Sequence, residues 1–223
     1  MLTVHHLENS QSIRILWLLE ELGLDYHLQK YARVGPNTLA PLEYKALHPI
    51  GKAPTISDGQ NRLAETNAIV DYLLDQQPNS PLRPTPGSPS REAYLYWFHA
   101  TQGSLMPLLL QRLIFSRLIS RSPRLIRPLI KLVINRAVSA YLQPNLSKML
   151  GHIDNTLSNS MWIAGNQLTA ADIVIGYCLE VAQVRVDFGD DYPHIERYLL
   201  QMRKRPAYQR ALQKSGGFSP LAA

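Results

Sequence analysis

Cysteine is nearly missing from this chain: its 223 residues contain one, Cys178. A single thiol excludes an intramolecular disulfide and any CxxC redox pair. It fits a reducing compartment, and a cytoplasmic location is the expectation. Long apolar runs are lacking too. No uncharged apolar stretch reaches the roughly 20 residues that a spanning helix needs. The first residues show no basic start followed by an apolar run and a small-residue cleavage site, so no signal peptide is expected. No grouping of His, Cys, Asp and Glu has metal-ligand spacing, so no metal is expected. The neighbouring His5 and His6 sit on a strand, where adjacent side chains point to opposite faces, and they suggest no site.

Acidic residues are absent between Glu92 and Asp154, a stretch that holds Arg112, Arg117, Arg121, Arg124, Arg127, Lys131, Arg136 and Lys148. Residues 1–78 carry 6 basic and 9 acidic side chains, whereas residues 79–223 carry 17 and 8. This asymmetry points to two separate units and raises the question of an anionic partner. The segment from Arg112 to Arg136 is apolar and cationic, as membrane-surface helices are. It is equally a solvated basic face around a helical core, a subunit contact, or the lining of an acceptor pocket. Pro123 and Pro128 interrupt any long amphipathic face, so the structural or subunit-contact reading is preferred and membrane association is not expected. No aromatic residue interleaves with the bases between Phe115 and Tyr141, so nucleic-acid binding is not expected.

What is present divides at "NSPLRPTPGSPS" (79–90). Four prolines and a glycine in twelve residues cannot continue a helix or pair in a central strand, so this is a linker. Before it (1–78) the pattern is β-α-β-(short helix)-β-β-α. "LTVHHL" and "DYHLQKY" read as strands, and "SIRILWLLEEL" as a helix so apolar all round that it must be covered on two sides. Gly23 stands where a C-terminal cap belongs. "APTIS" and "RLA" flank Asp58-Gly59 as a hairpin whose loop looks longer than two residues. "ETNAIVDYLLDQ" is a helix with Ile69, Tyr72 and Leu73 on one face. A helix between the first two strands implies a parallel, right-handed crossover, and the hairpin makes the sheet mixed. After the linker (91–223) no strand is expected. The helices break near Ser122-Pro123, and "NQLTAADIVIGY" holds a capping box of Thr169 and Asp172 with a staple of Leu168 and Ile173. Cys178 falls inside that helix as a packed thiol.

Three short stretches carry candidate chemistry. In "HLENSQSIR" small polar residues precede a helix; they are caps, or they fix a hydroxyl where it can hold an anion. In "HPIGKAPTI" the turn before a strand is an ordinary proline turn, or a cis Ala53-Pro54 turn whose Ala53 backbone receives an extended peptide. In "LAETNAI" Thr66 caps a helix, or the helix N-terminus binds a carboxylate while Glu65 takes an ammonium group.

Taken together with the capping box in "GNQLTAADIVIG", and in this order and spacing, these stretches resemble the cytosolic glutathione transferases. "HHLENSQSIRILWLLEEL" and "LMPLLLQRLIFSRL" most resemble a bacterial and fungal, theta-related subgroup of serine type. The resemblance implies a thioredoxin-like α/β N-terminal domain with a mixed four-stranded sheet, joined to an all-α C-terminal domain. It implies a homodimer, with glutathione as co-substrate and small hydrophobic electrophiles as partners. Ser10 would donate a hydrogen bond to the glutathione sulfur, with Ser12 as the alternative and Arg14 in support. Ala53 would pair with the cysteinyl unit, Pro54 would be the cis-proline, and Lys52 would lie near the glycyl carboxylate. Glu65 and Thr66 would hold the γ-glutamyl end. No second ligand for the glycyl carboxylate is assigned within "RVGPNTLAPLEYK".

A free thiol has a pKa near 8.5, so little is thiolate at neutral pH, and thiolate is the nucleophile. A serine hydroxyl is too weak a base to deprotonate it but can stabilise the anion. The expected function is therefore conjugation of glutathione to electrophiles, in the manner of detoxification, with peroxidase activity as a further possibility. The alternative is a non-catalytic protein of the same fold that binds glutathione or hydrophobic ligands. Disulfide exchange is disfavoured, because no cysteine stands at the strand-to-helix junction.

Overall fold

The computed structural model describes residues 1–35, 39–186, 188 and 190–220. Four strands, β1 (Leu2–Leu7), β2 (His27–Tyr31), β3 (Thr55–Asp58) and β4 (Asn61–Ala64), form one mixed sheet in the order β2-β1-β3-β4. β1 runs parallel to β2 and antiparallel to β3, and β3 is antiparallel to β4. The mixed sheet followed by helices is the expected fold class. One detail differs: β3 runs to Asp58 and β4 starts at Asn61, so the hairpin loop is only Gly59-Gln60. Asn61 and Arg62 resemble loop residues in composition because β4 is an exposed edge there, and edges favour polar side chains.

Helix α1 (Ile13–Leu22) fills the crossover between β1 and β2. Residues Ile13 through Glu20 are all buried, as an all-round apolar helix requires. One side lies on the sheet and α3 (Thr66–Asp75). The other meets two C-terminal helices, α8 (Ala170–Arg185) and α10 (Pro206–Ser215). Gly23 ends α1 at φ 65°, the left-handed conformation that glycine adopts without steric cost. The short helix α2 (Leu42–Lys45) places Tyr44 under the sheet.

The linker leads into α4 (Arg91–Ala100), which continues through a π-helical turn (Thr101–Leu105) into α5 (Met106–Arg121). Ser122 is extended, and α6 (Arg127–Ala137) follows, so the break at Ser122-Pro123 is real. A second π turn (Val138–Leu142) joins α6 to α7 (Gln143–Ser158). Arg127 donates to the carbonyls of Ser120 and Ser122, satisfying groups left open at the end of α5. No residue of α6 is buried, and Leu125 just before it is 96 % exposed. No helix among the described residues is long and apolar enough to cross a membrane.

α8 is the axis of the helical part and is buried along almost its whole length. Its capping box forms as expected: Asp172 accepts from the Thr169 N–H and hydroxyl at 2.8 and 3.0 Å, and from the Ile163 N–H at 2.8 Å. Leu168 and Ile173 both join the core. At Gly176 the helices come close: a β-carbon there would lie 2.4 Å from Met202 Sδ and 3.3 Å from Trp17 Cζ3. α9 (Pro193–Arg203) and α10 close the structure. Glu21 on α1 receives both Nε and Nη2 of Arg205, at 2.6 and 2.7 Å, and also the Trp17 indole N–H. Glu20 receives Arg210 and Lys214.

Candidate active site

Sheet register gathers the candidate residues. His5 of β1 lies opposite Thr55 of β3, and Thr55 lies opposite Ala64 of β4. The turn after β1 (Glu8–Ser12), the Ala53-Pro54 turn before β3 and the Glu65-Thr66 junction after β4 therefore emerge at one end of the sheet. The Ala53-Pro54 bond is cis.

At the first junction the small polar residues are not helix caps. Asn9 is left-handed at φ 48°, a conformation asparagine tolerates better than most residues. Ser12 stands at the N-cap position of α1 in a helical conformation, with no capping bond from its side chain. Its hydroxyl instead lies 2.8 Å from Ser10 Oγ and 2.9 Å from His6 Nδ1. Ser12 is 0 % exposed and Ser10 5 %. Ser10 Oγ also accepts the Ser12 backbone N–H at 3.3 Å. Arg33 braces this turn by donating to the carbonyls of Glu8 and Asn9.

Arg14 turns away from the serines. It is 1 % exposed, and its guanidinium donates to Gln11 Oε1 at 2.7 Å, Thr66 Oγ1 at 3.3 Å and Cys178 Sγ at 2.9 Å. It also lies 4.4 Å from the centre of the Tyr177 ring. Arg14 thus ties the start of α1 to the start of α3 and to α8. Burial raises the Cys178 thiol pKa although Arg14 opposes this, so the thiol stays protonated. Cys178 is the buried core thiol expected from the sequence.

Thr66 is not a cap either. Glu65 is the N-cap residue of α3, exposed and at φ 73°, and Thr66 is the first helical residue. Its hydroxyl is committed sideways to Arg14 and Gln11. At the middle turn Pro54 is buried, Ala53 half-buried and Lys52 exposed; the Lys52 carbonyl accepts the Thr55 hydroxyl. Of the segment "RVGPNTLAPLEYK", residues 36–38 lie outside the described residues.

His6, Gln11 and Arg33 are the site neighbours that sequence reasoning missed. His5 and His6 do face opposite ways: His5 meets Tyr31 and Ser57, and His6 meets Ser12. His6 is 3 % exposed, and its pKa is lowered to about 4 by burial, with Lys30 adding to the effect, so it is neutral at pH 7. The signal available was its position three residues before Asn9 on the strand feeding the junction.

A cleft of about 470 Å³ adjoins the junction, lined by His6, Asn9, Tyr31 and the chain's last described segment around Phe218. The Ser219 N–H donates to Asn9 Oδ1 at 2.9 Å, and Phe218 packs on Tyr177. A cavity of about 720 Å³ over the linker, by contrast, contains none of the candidate residues. Among the described residues no group of three or more His, Cys, Asp or Glu could hold a metal.

Comparison with known proteins agrees with this fold. Residues 1–75 match the family model described as glutathione S-transferase, N-terminal domain, and residues 114–206 match the corresponding C-terminal domain. Glutathione S-transferase 3 of Schizosaccharomyces pombe is 32% identical over 215 residues, covering 96% of this chain and 88% of that protein. A glutathione S-transferase structure from Actinobacillus pleuropneumoniae superposes with a TM-score of 0.82 at 34% identity, covering 98% of this chain and 94% of that one. A theta class glutathione S-transferase from Xanthomonas axonopodis pv. citri, solved with glutathione bound, gives 0.70 at 26%, covering 94% and 96%.

Proposed function

The chain belongs to the glutathione S-transferase family, and we propose that it activates the glutathione thiol through Ser10. The function itself is transfer of glutathione. The serine is our reading, and one observation carries it: the Ser10 hydroxyl sits at the strand-to-helix junction, accepts the Ser12 backbone N–H at 3.3 Å, and has its oxygen 2.8 Å from Ser12 Oγ, a contact in which Ser12 can be the donor so that the Ser10 proton serves an anion. Ser12 is the weaker choice, since His6 and Ser10 already engage its hydroxyl.

The roles of the neighbours follow from the same end of the sheet. The Ala53 backbone ahead of the cis bond takes the cysteinyl unit as a short added strand. The first turn of α3 offers N–H groups and a partial positive charge to the γ-glutamyl carboxylate, beside the Thr66 hydroxyl, and Glu65 takes the ammonium group. Lys52 faces the glycyl carboxylate, and Arg14 keeps Thr66 in place. The bound thiolate then attacks an electrophilic carbon of a hydrophobic partner, forming the S–C bond as the leaving group departs with its electron pair. Reduction of peroxides by the same thiolate is a secondary activity of this reading. Its setting is a cytoplasmic homodimer divided at residues 79–90, in keeping with the single buried thiol and the proline-rich linker. The bacterial and fungal serine-type subgroup is its natural home, and the fission yeast relative supports that.

The test is the pKa of the bound glutathione thiol, read from thiolate absorbance in the wild type and in Ser10→Ala. One charge-assisted hydrogen bond contributes about 1.5–3 kcal/mol, and each pKa unit corresponds to about 1.4 kcal/mol. Ser10→Ala should therefore raise the thiol pKa by about 1–2 units with glutathione still bound. An unchanged pKa in Ser10→Ala together with a raised one in Ser12→Ala would transfer the role to Ser12.

A further inference from the structure

We propose that His6 is a positioning residue for the thiolate: as its Nδ1–H tautomer it donates to Ser12, Ser12 donates to Ser10, and the Ser10 proton is thereby directed at the sulfur. The inference rests on the serine reading above and adds the residue that decides which way the serine points.

The argument is a count of protons along three oriented groups. His6 Nδ1 lies 2.9 Å from Ser12 Oγ, and Ser12 Oγ lies 2.8 Å from Ser10 Oγ. Each contact needs one proton between its two atoms. Neutral imidazole carries one N–H, on Nδ1 or on Nε2. With the proton on Nε2, Ser12 must donate to Nδ1, and Ser10 must then donate to Ser12 to fill the remaining contact. Ser10 has no proton left for an anion, and Nε2–H is a buried donor with no partner among the described residues. With the proton on Nδ1 the order reverses. The ring donates to Ser12; Ser12 then donates to Ser10 at 2.8 Å rather than to the Leu7 carbonyl at 3.4 Å, the longer contact, and the Ser10 proton is free. Only a lone pair on Nε2 stays unpaired, and no buried donor is stranded. The Ser12 backbone N–H, 3.3 Å from Ser10 Oγ, occupies one of the two Ser10 lone pairs and is satisfied in either arrangement.

The relay also strengthens the last bond. A hydroxyl that accepts two hydrogen bonds becomes a better donor through polarisation along the chain. His6 can hold this arrangement because it is buried on β1 between β2 and β3, a rigid position. Lys30, opposite His6 on β2, favours the neutral ring as burial does.

The experiment measures the bound-thiol pKa by thiolate absorbance in the full-length protein with saturating glutathione. S-methylglutathione binding serves as the control for an intact site. His6→Phe should cut the thiolate fraction at neutral pH about tenfold, the share expected of one oriented hydrogen bond, with S-methylglutathione affinity within about twofold. His6→Asn, whose amide N–H stands where Nδ1–H stood, should restore most of that loss. Adding His6→Phe to Ser10→Ala should change nothing further, because the effect passes through Ser10. If Ser10→Ala raises the thiol pKa and His6→Phe does not, the relay is wrong and the serine reading survives. A His6→Phe effect that persists undiminished in the Ser10→Ala background overturns the relay as well. If neither variant moves the pKa, both ideas fall. Should His6→Phe not bind S-methylglutathione, nitrogen-15 resonances of the wild-type histidine decide. A protonated Nδ1 in the glutathione complex supports the relay, and a protonated Nε2 overturns it.

Discussion

Replacing Arg14 by lysine keeps the charge and most of the aliphatic stem, yet we expect it to be among the more damaging conservative changes in this protein. The acceptors around Arg14 are Gln11 Oε1, Thr66 Oγ1 and Cys178 Sγ, and they surround both terminal nitrogens of the planar fork. A lysine ammonium is a single point on a thinner stem and cannot serve all three. Keeping one contact strands the others in a site where Arg14 itself is almost wholly buried. A lost hydrogen bond to a charged group costs about 1.5–3 kcal/mol, and a buried acceptor left unpaired adds to this. The stacking on Tyr177 weakens as well, a loss of about 1 kcal/mol. The sum is about 3–4 kcal/mol. For a chain of this length each kcal/mol shifts the melting temperature by about 2–4 °C, so a fall of roughly 6–16 °C is expected. Urea unfolding followed by far-ultraviolet circular dichroism gives the direct value from the midpoint and slope. Glutathione affinity should drop too, because Thr66 loses the donor that orients it. A double-mutant cycle between Arg14→Lys and Cys178→Ala should give a coupling of about 1 kcal/mol. A destabilisation by Arg14→Lys of less than about 0.5 kcal/mol would refute the view that this fork joins the two parts of the molecule.

Other expectations can be measured on the same footing. Asp172→Ala removes the acceptor of three buried hydrogen bonds and should cost about 3–5 kcal/mol in urea unfolding, well beyond the roughly 1 kcal/mol expected of Thr169→Ala alone. His6, lowered to about 4 in the fold from 6.5 when unfolded, contributes stability that is complete above pH 6.5 and is lost as pH falls through 4. The loss is roughly 3 kcal/mol, and His6→Phe should flatten that limb of a melting-temperature profile. Gly23→Ala forces a β-carbon into the left-handed cap of α1 and should destabilise by about 1 kcal/mol, with Gly23→Asn milder.

The elements that could be read from the sequence are those whose cause is local. Ile13 through Glu20 announce a doubly covered helix by their own composition, and Thr169-x-x-Asp172 carries its cap within four residues. The residues at the site were named, but several of their partners were not. Arg14 reaches Thr66 and Cys178 across 52 and 164 positions of chain, and no spacing rule describes such a meeting. Thr66 stands where a cap would stand, one residue out of register, because Glu65 takes the left-handed conformation ahead of it. Periodicity of apolar residues does not report the sign of φ. His6 was passed over because alternation on a strand tells which face a side chain takes, not which hydroxyl waits there.

Helix α1 begins at the serines, and Glu20 and Glu21 near its other end are clasped by Arg205, Arg210 and Lys214, residues more than 180 positions later. During synthesis the N-terminal part must therefore wait, its back face bare, until α10 has left the ribosome. Losing α10 would thus reach the serine junction without touching it, by unfastening the helix that begins there.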